Sequence, residues 1–111
     1  MFKIFVQGAV QVFSGEVALN AANIAHAREI CEALFKKGQP RIVLQLTDIP
    51  LIDSQGLEIL LDLRDRSARC GGAVHLAAPN VLCRDILQAT GLAEEFAIFD
   101  DLNSAVGSFA Q

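Results

Sequence analysis

The chain contains no tryptophan and no tyrosine, and seven phenylalanines supply all its aromatic content. A core must therefore be built from Leu, Ile, Val and Ala. A basic run is also missing: the densest cationic stretch, Arg64 to Arg69, is interleaved with Asp65. With a formal net charge of −4 and a pI near 5.0, the chain lacks the clustered Lys and Arg that phosphate backbones require, which excludes nucleic acid as an expected partner. The same sign opposes attraction to anionic membrane surfaces. No segment approaches the ~20 apolar residues needed to cross a bilayer, so no direct membrane insertion is expected. The opening MFKIFVQGAV is apolar but short and alternating, which fits a strand better than a secretory leader.

Chemical motifs are equally scarce. The three cysteines, Cys31, Cys70 and Cys83, are odd in number and form no CxxC pair. A disulfide framework is not expected, and the usage fits the reducing cytoplasm. His26 and His75 fall on different predicted elements, outside any ligand spacing, so no metal site is expected. GxSxG and GxxxxGK[ST] are absent, removing the main support for hydrolase and P-loop readings. Glu94-Glu95 and Asp100-Asp101 read as caps and solvated surface. The expectation is a protein that is not an enzyme, with no catalytic residues, cofactor or metal.

What is present is a patterned core. Hydrophobic residues make up 52% of 111 positions, enough for one domain over residues 1–111. Met1–Val6 and Val10–Phe13 read as a hairpin turning at Gly8. A helix is predicted over Ala21–Lys37, with Asn20 or Asn23 as cap and Ile24, Ala27, Cys31, Leu34 and Phe35 as its apolar stripe. Lys36 and Lys37 suit its C-terminus. Arg41–Leu46 is a nearly continuous apolar run, as expected of a strand covered on both faces. A second helix is predicted over Gln55–Arg69, with Leu57, Leu60, Leu61 and Arg64 along one side and Ile59 and Leu63 widening the apolar surface. Ala73–Ala77 reads as a strand and Val81–Thr90 as a helix turning Leu82, Ile86 and Leu87 inward. Phe96–Phe99 reads as a short edge strand, and a last helix follows Asp100 or Asp101. The order β-β-α-β-α-β-α-β-α predicts an α/β fold. Parallel crossovers make a small mixed sheet of four to five strands, with the initial hairpin at one edge and four helices packed largely on one face.

Ser54 stands out because a strand-derived loop enters a helix there. Asp53 or Ser54 can serve simply as N-cap. The same position also exposes a hydroxyl at a helix's positive end, where a phosphate is tolerated. Phosphorylation would add about −1.5 to −2 charges beside Asp53. The loop before the first helix should lie alongside, grouping Asn20, Ala21, Asn23 and Ile24 with Leu51, Ile52, Asp53, Gln55 and Gly56 as a partner-binding face. Pro79 and Asn80 read equally as its border or as a plain strand-to-helix turn.

Three segments carry a resemblance: IVLQLTDIPLIDSQGLEILLDL, GGAVHLAAPNVLCRDILQATGL and FAIFDDLNSAV. Together, with Asp53-Ser54-x-Gly56-Leu57 and Thr90-Gly91-Leu92 as landmarks, the chain from Gly15-Glu16 to Val106 resembles the STAS domain. That domain occurs in anti-sigma factor antagonists and sulphate transporter tails. The resemblance implies a stand-alone antagonist phosphorylated at Ser54. When unphosphorylated it binds an anti-sigma factor serine kinase of GHKL ATPase fold, which frees a client. A PP2C-type phosphatase resets it. Ala18, Gln45 and Gln55 stand where the family often has Asp, Asp, and Ser or Thr, which thins the acidic surroundings of Ser54. A second expectation from the resemblance is an unphosphorylated scaffold subunit of a transporter ATPase complex of the phospholipid-trafficking type.

Overall fold

The computed structural model describes residues 1–36 and 38–110. Five strands form one sheet in the order β1-β2-β3-β4-β5. They are β1 (Phe2–Gln7), β2 (Val10–Gly15), β3 (Arg41–Gln45), β4 (Ala73–Ala77) and β5 (Ile98–Phe99). β1 pairs antiparallel with β2, and all other pairings are parallel. The hairpin turns at Gly8, whose φ of +63° suits a residue without Cβ. The helices are α1 (Ile24–Glu32), α2 (Ser54–Arg69), α3 (Val81–Ala89) and α4 (Leu102–Gly107).

Alternation along the strands builds two cores. Ile42 and Leu44 of β3 and Val74 and Leu76 of β4 point to the face covered by α1, α2 and α3, joining Ala27, Cys31, Ile59, Leu60, Leu63, Cys83 and Leu87. Val10, Val12, Val43 and Ala77 point the other way, where Ala105 of α4 packs. Ile42, Val43 and Leu44 are consequently all at most 1% exposed, as expected for a strand with both faces covered. Burying one such side chain is worth about 1.5–3 kcal/mol. Three of the four helices share one face, in line with the STAS-like arrangement read from the sequence.

Several boundaries and faces differ from the sequence reading. α1 begins at Ile24 rather than Ala21, because residues 21–23 form a turn closed by Asn23 N–H donating to the Asn20 carbonyl at 3.0 Å. It passes into a 3-10 turn at Ala33–Phe35; Lys37 lies outside the described residues. The buried side of α2 is Gly56, Ile59, Leu60, Leu63 and Ser67. That is rotated from the Leu57-Leu60-Leu61-Arg64 side, which is set further round by the packing on β4. In α3 the inward positions are Cys83 and Leu87, while Leu82 is 50% exposed. β5 is only Ile98–Phe99, and the α4 cap is Asp101, whose carboxylate accepts from Ser104 N–H at 2.7 Å. Cys31 and Cys83 are buried and Cys70 is exposed. Burial pushes the Cys31 thiol up to about 12.

His75 of β4 lies in the α4 layer, stacked on Phe109 at 4.2 Å between ring centres. The Ser108 hydroxyl donates to the Ala105 carbonyl at 2.6 Å, so it accepts from His75 Nδ1–H at 2.7 Å. His75 is thus a structural histidine whose Nδ1 is hydrogen-bonded. Burial holds its pKa below the ordinary 6.5. The unfolded chain therefore binds a proton that the folded chain resists, and the loss of stability begins as pH falls below that value. The depressed carboxyls of Asp53 and Asp101 act separately, below their ordinary 3.8. The expected outcome is a thermal midpoint that drops as pH falls below about 6.5. Replacing His75 by Gln, which can keep a donor towards Ser108, should flatten that part of the pH profile. An unchanged slope in the variant would contradict the assignment.

Candidate functional site

At the carboxyl end of the sheet two loops meet. Leu19 N–H donates to the Leu51 carbonyl at 2.9 Å, and the Leu19 carbonyl accepts from Asp53 N–H at 3.1 Å. This parallel bridge between Leu19 and Ile52 brings the β2–α1 loop beside the start of α2. Gly56 makes that approach possible. A Cβ there would lie 2.2 Å from the Leu19 carbonyl oxygen and 2.7 Å from Ile52 Cγ2.

Asp53 is the N-cap of α2, in extended conformation. Its Oδ1 accepts from Gln55 N–H at 2.9 Å and Gly56 N–H at 3.1 Å. Its Oδ2 accepts from Ala21 N–H at 3.0 Å. One carboxylate thus caps α2 and fastens the neighbouring loop to it. These backbone donors, with Gly56 and Ala21 foremost, hold the Asp53 carboxyl below its ordinary range. Of the two cap candidates in the sequence, Asp53 takes the role, and Ser54 stands as the first helical residue with its side chain exposed.

The residues grouped from the sequence do come together here, though in two layers. Ala21, Leu51, Ser54 and Gln55 are exposed, and Asn20, Asn23, Ile24 and Asp53 are half-buried. Ile52 is 2% exposed and Gly56 is buried. These two shape the turn from beneath and do not present a surface. Neither asparagine caps with its side chain. Asn23 occupies the N-cap position of α1, but its amide reaches back to the Ala18 carbonyl at 2.8 Å. Asn20 Oδ1 is buried and, among the described residues, has no hydrogen-bond partner.

The β4–α3 turn joins the same end. Ala78 has a positive φ of 52° and donates its N–H to Phe99 O at 2.8 Å. Asn80 caps α3 by accepting from Cys83 N–H at 2.8 Å, and its Nδ2 donates to the Ile49 carbonyl at 2.8 Å. Pro79-Asn80 is thus a helix-entering turn, and Asn80 anchors it to the loop that leads to Ser54. Sequence reasoning missed Leu19, whose main chain joins the loops. Its only sequence signal was an apolar residue just before Asn20. Val81 and Leu82, 77% and 50% exposed at the start of α3, were also missed as surface.

Among the described residues no group of three or more His, Cys, Asp or Glu is placed to hold a metal ion. No described helix is long and apolar enough to cross a membrane.

A mixed sheet with an antiparallel edge hairpin, three helices on one face and a capped turn carrying an exposed serine defines the class. The STAS domain family profile matches residues 4–105, and the chain belongs to that family. It is similar to a candidate anti-sigma factor antagonist of Thermotoga maritima, 27% identical over 108 residues, covering 96% of this chain and 95% of the relative. Among solved structures, a crystal structure of a candidate antagonist from Thermotoga maritima superposes with a TM-score of 0.91 at 23% identity. It covers 99% of this chain and 95% of that one. An anti-sigma factor antagonist from Mycobacterium paratuberculosis gives 0.86 at 19%, covering 100% and 94%. The murine anion transporter Slc26a9 gives 0.75 at 18%, with 87% of this chain covered but only 17% of the transporter.

Two substitutions check the turn. Gly56→Ala should destabilise the fold by about 1–3 kcal/mol in chemical denaturation, because the added methyl meets main chain and not a flexible side-chain end. Asp53→Ala should speed amide exchange at Ala21, Gln55 and Gly56 together. Exchange that rises at Gln55 and Gly56 but not at Ala21 would show that the loop is held by something else.

Proposed function

We propose that this chain is an anti-sigma factor antagonist that switches partners through phosphorylation of Ser54, and that it catalyses nothing itself. One observation carries the reading: among the described residues Asp53 alone caps α2, and the exposed Ser54 hydroxyl makes no hydrogen bond there. In the unphosphorylated state the face made by Asn20, Ala21, Asn23, Ile24, Leu51, Asp53, Ser54 and Gln55 docks an anti-sigma factor serine kinase of GHKL ATPase fold. Docking releases the kinase's client. Ile52 and Gly56 support that face from below. The site then becomes the kinase's substrate, with Ser54 Oγ accepting the phosphoryl group of ATP. A PP2C-type phosphatase restores the hydroxyl. The cycle is assigned to the cytoplasm.

The geometry explains how such a switch would work without refolding. Gln55 and Gly56 N–H already bond Asp53, so a phosphate on Ser54 would not need to replace the cap. The helix's positive end tolerates the added charge. The dianion would instead face outward, beside the Asp53 carboxylate, and repel a partner surface shaped for a neutral hydroxyl.

The test is incubation with a candidate kinase and ATP, read by intact and peptide mass. A single phosphoryl group on Ser54 is expected, and its absence with every kinase of this class would end the proposal. Ser54→Asp should weaken kinase binding by about ten- to a hundredfold, whereas Ser54→Ala should bind and stay unmodified. Co-purification with a stoichiometric transporter ATPase, and no kinase, would favour the scaffold reading.

A further inference from the structure

The sheet has two edges of unequal length. β5 contributes two residues, whereas β1 contributes six and, among the described residues, pairs only with β2. Exposed edges of that length are normally blunted by proline, charge or a bulge, because unpaired N–H and C=O groups invite another strand. β1 has no proline and one charge, Lys3. Its register with β2 runs unbroken from Phe2 opposite Gly15 to Gln7 opposite Val10. Val6 is 67% exposed.

The hairpin dictates which backbone groups are free. Glu16 N–H donates to the Met1 carbonyl at 3.2 Å, which makes Met1 and Glu16 a hydrogen-bonded pair. Opposed residues in an antiparallel ladder alternate between bonded and non-bonded pairs. Lys3, Phe5 and Gln7 therefore direct their main-chain groups to β2. Phe2, Ile4 and Val6 direct theirs outward.

We propose that β1 pairs antiparallel with β1 of a second copy of this chain, about a two-fold axis through Ile4, making one continuous sheet. A two-fold axis normal to a sheet requires opposed residues to share a face, so their numbers must sum to an even value. Placing the axis at Ile4 sets Ile4 opposite Ile4 and Phe2 opposite Val6, and those pairs contain every outward-directed group of the strand. The exposed Val6 gains an aromatic neighbour. Lys3 falls opposite Phe5, whose ring can accept a cation. An axis at Lys3 would instead oppose two ammonium groups, which is unfavourable. The edge is thus complementary to itself in length and hydrogen bonding, and this register keeps its one charge, Lys3, off its own copy and over an aromatic ring, which is the argument for a second copy as the occupant. One strand pair is a small interface, so the dimer is a weak one.

Sedimentation of the full chain from roughly 10 μM to 1 mM tests this, a range suited to weak association. The mean mass should rise from 11.9 kDa towards twice that value. Amides of Ile4 and Val6 should become slower to exchange as concentration rises, while that of Phe5 should not change. Val6→Pro removes an outward donor and leaves the β2 ladder intact, so it should stay folded by circular dichroism and remain monomeric. Val6→Asp, a second variant that keeps the backbone donor but sets a carboxylate opposite the negative ring face of Phe2, should weaken association at least tenfold. A wild-type chain that is monomeric throughout the range would overturn the proposal. So would a dimer that both variants leave unchanged.

Discussion

The Leu19 peptide group, held between Leu51 and Asp53, is the constraint on which the functional end of this molecule depends. Its N–H and carbonyl are both used, one towards each side of Ile52. Buried main-chain groups must find partners, and here the partners lie on a loop more than thirty residues further along the chain. The bridge fixes where α2 can begin. It also leaves no room for a side chain at position 56, so the glycine follows from the bridge. Asp53 then completes the joint with its carboxylate, and the exposed serine inherits its position from those contacts.

The two faces of the sheet divide the work. The larger core under α1, α2 and α3 supplies the rigidity that aims the α2 turn. The smaller core under α4 contains His75 and the Ser108 hydroxyl, remote in sequence from Ser54. Between α1 and α2 the links at the surface are Arg28–Asp62 at 3.3 Å and Arg66–Glu32 at 2.7 Å. Exposed pairs of this kind contribute little, so the relative placement of the helices comes from Ala27, Cys31, Ile59 and Leu63 beneath them. Asn80, by bonding the Ile49 carbonyl, ties the third helix into the same end.

Much of this arrangement was legible in the sequence because the strands are short and strongly patterned. Arg41-Ile-Val-Leu-Gln announced a strand with two covered faces, and the strand–helix alternation after it left little choice of topology. Asp53-Ser54 marked the start of α2 through cap chemistry. Helix faces were less legible. The sequence put Leu57, Leu60 and Leu61 at the centre of the stripe and Ile59 and Leu63 at its margin, whereas Ile59, Leu60 and Leu63 form the buried centre, because α2 is apolar over a wide arc and only its contact with β4 selects the centre. Leu82 was misplaced for a related reason: in α3 a cysteine fills the inward position, and Leu is the more conspicuous hydrophobe. The Asn20 and Asn23 roles were hidden because Asn bonds main chain in several geometries. In the folded chain Asn23 bonds backwards to Ala18.

The exposed thiol of Cys70 has a practical meaning. It sits immediately after α2, a helix of sixteen residues that opens with Ser54. At 1.5 Å per residue the two ends are about 24 Å apart. Cys31 and Cys83 are shielded in the interior. The native chain therefore carries a single accessible attachment point for a fluorophore or spin label, on the same rigid rod as the serine but at its far tip. A probe there can report tumbling and distance in a complex without intruding on the surface being interrogated.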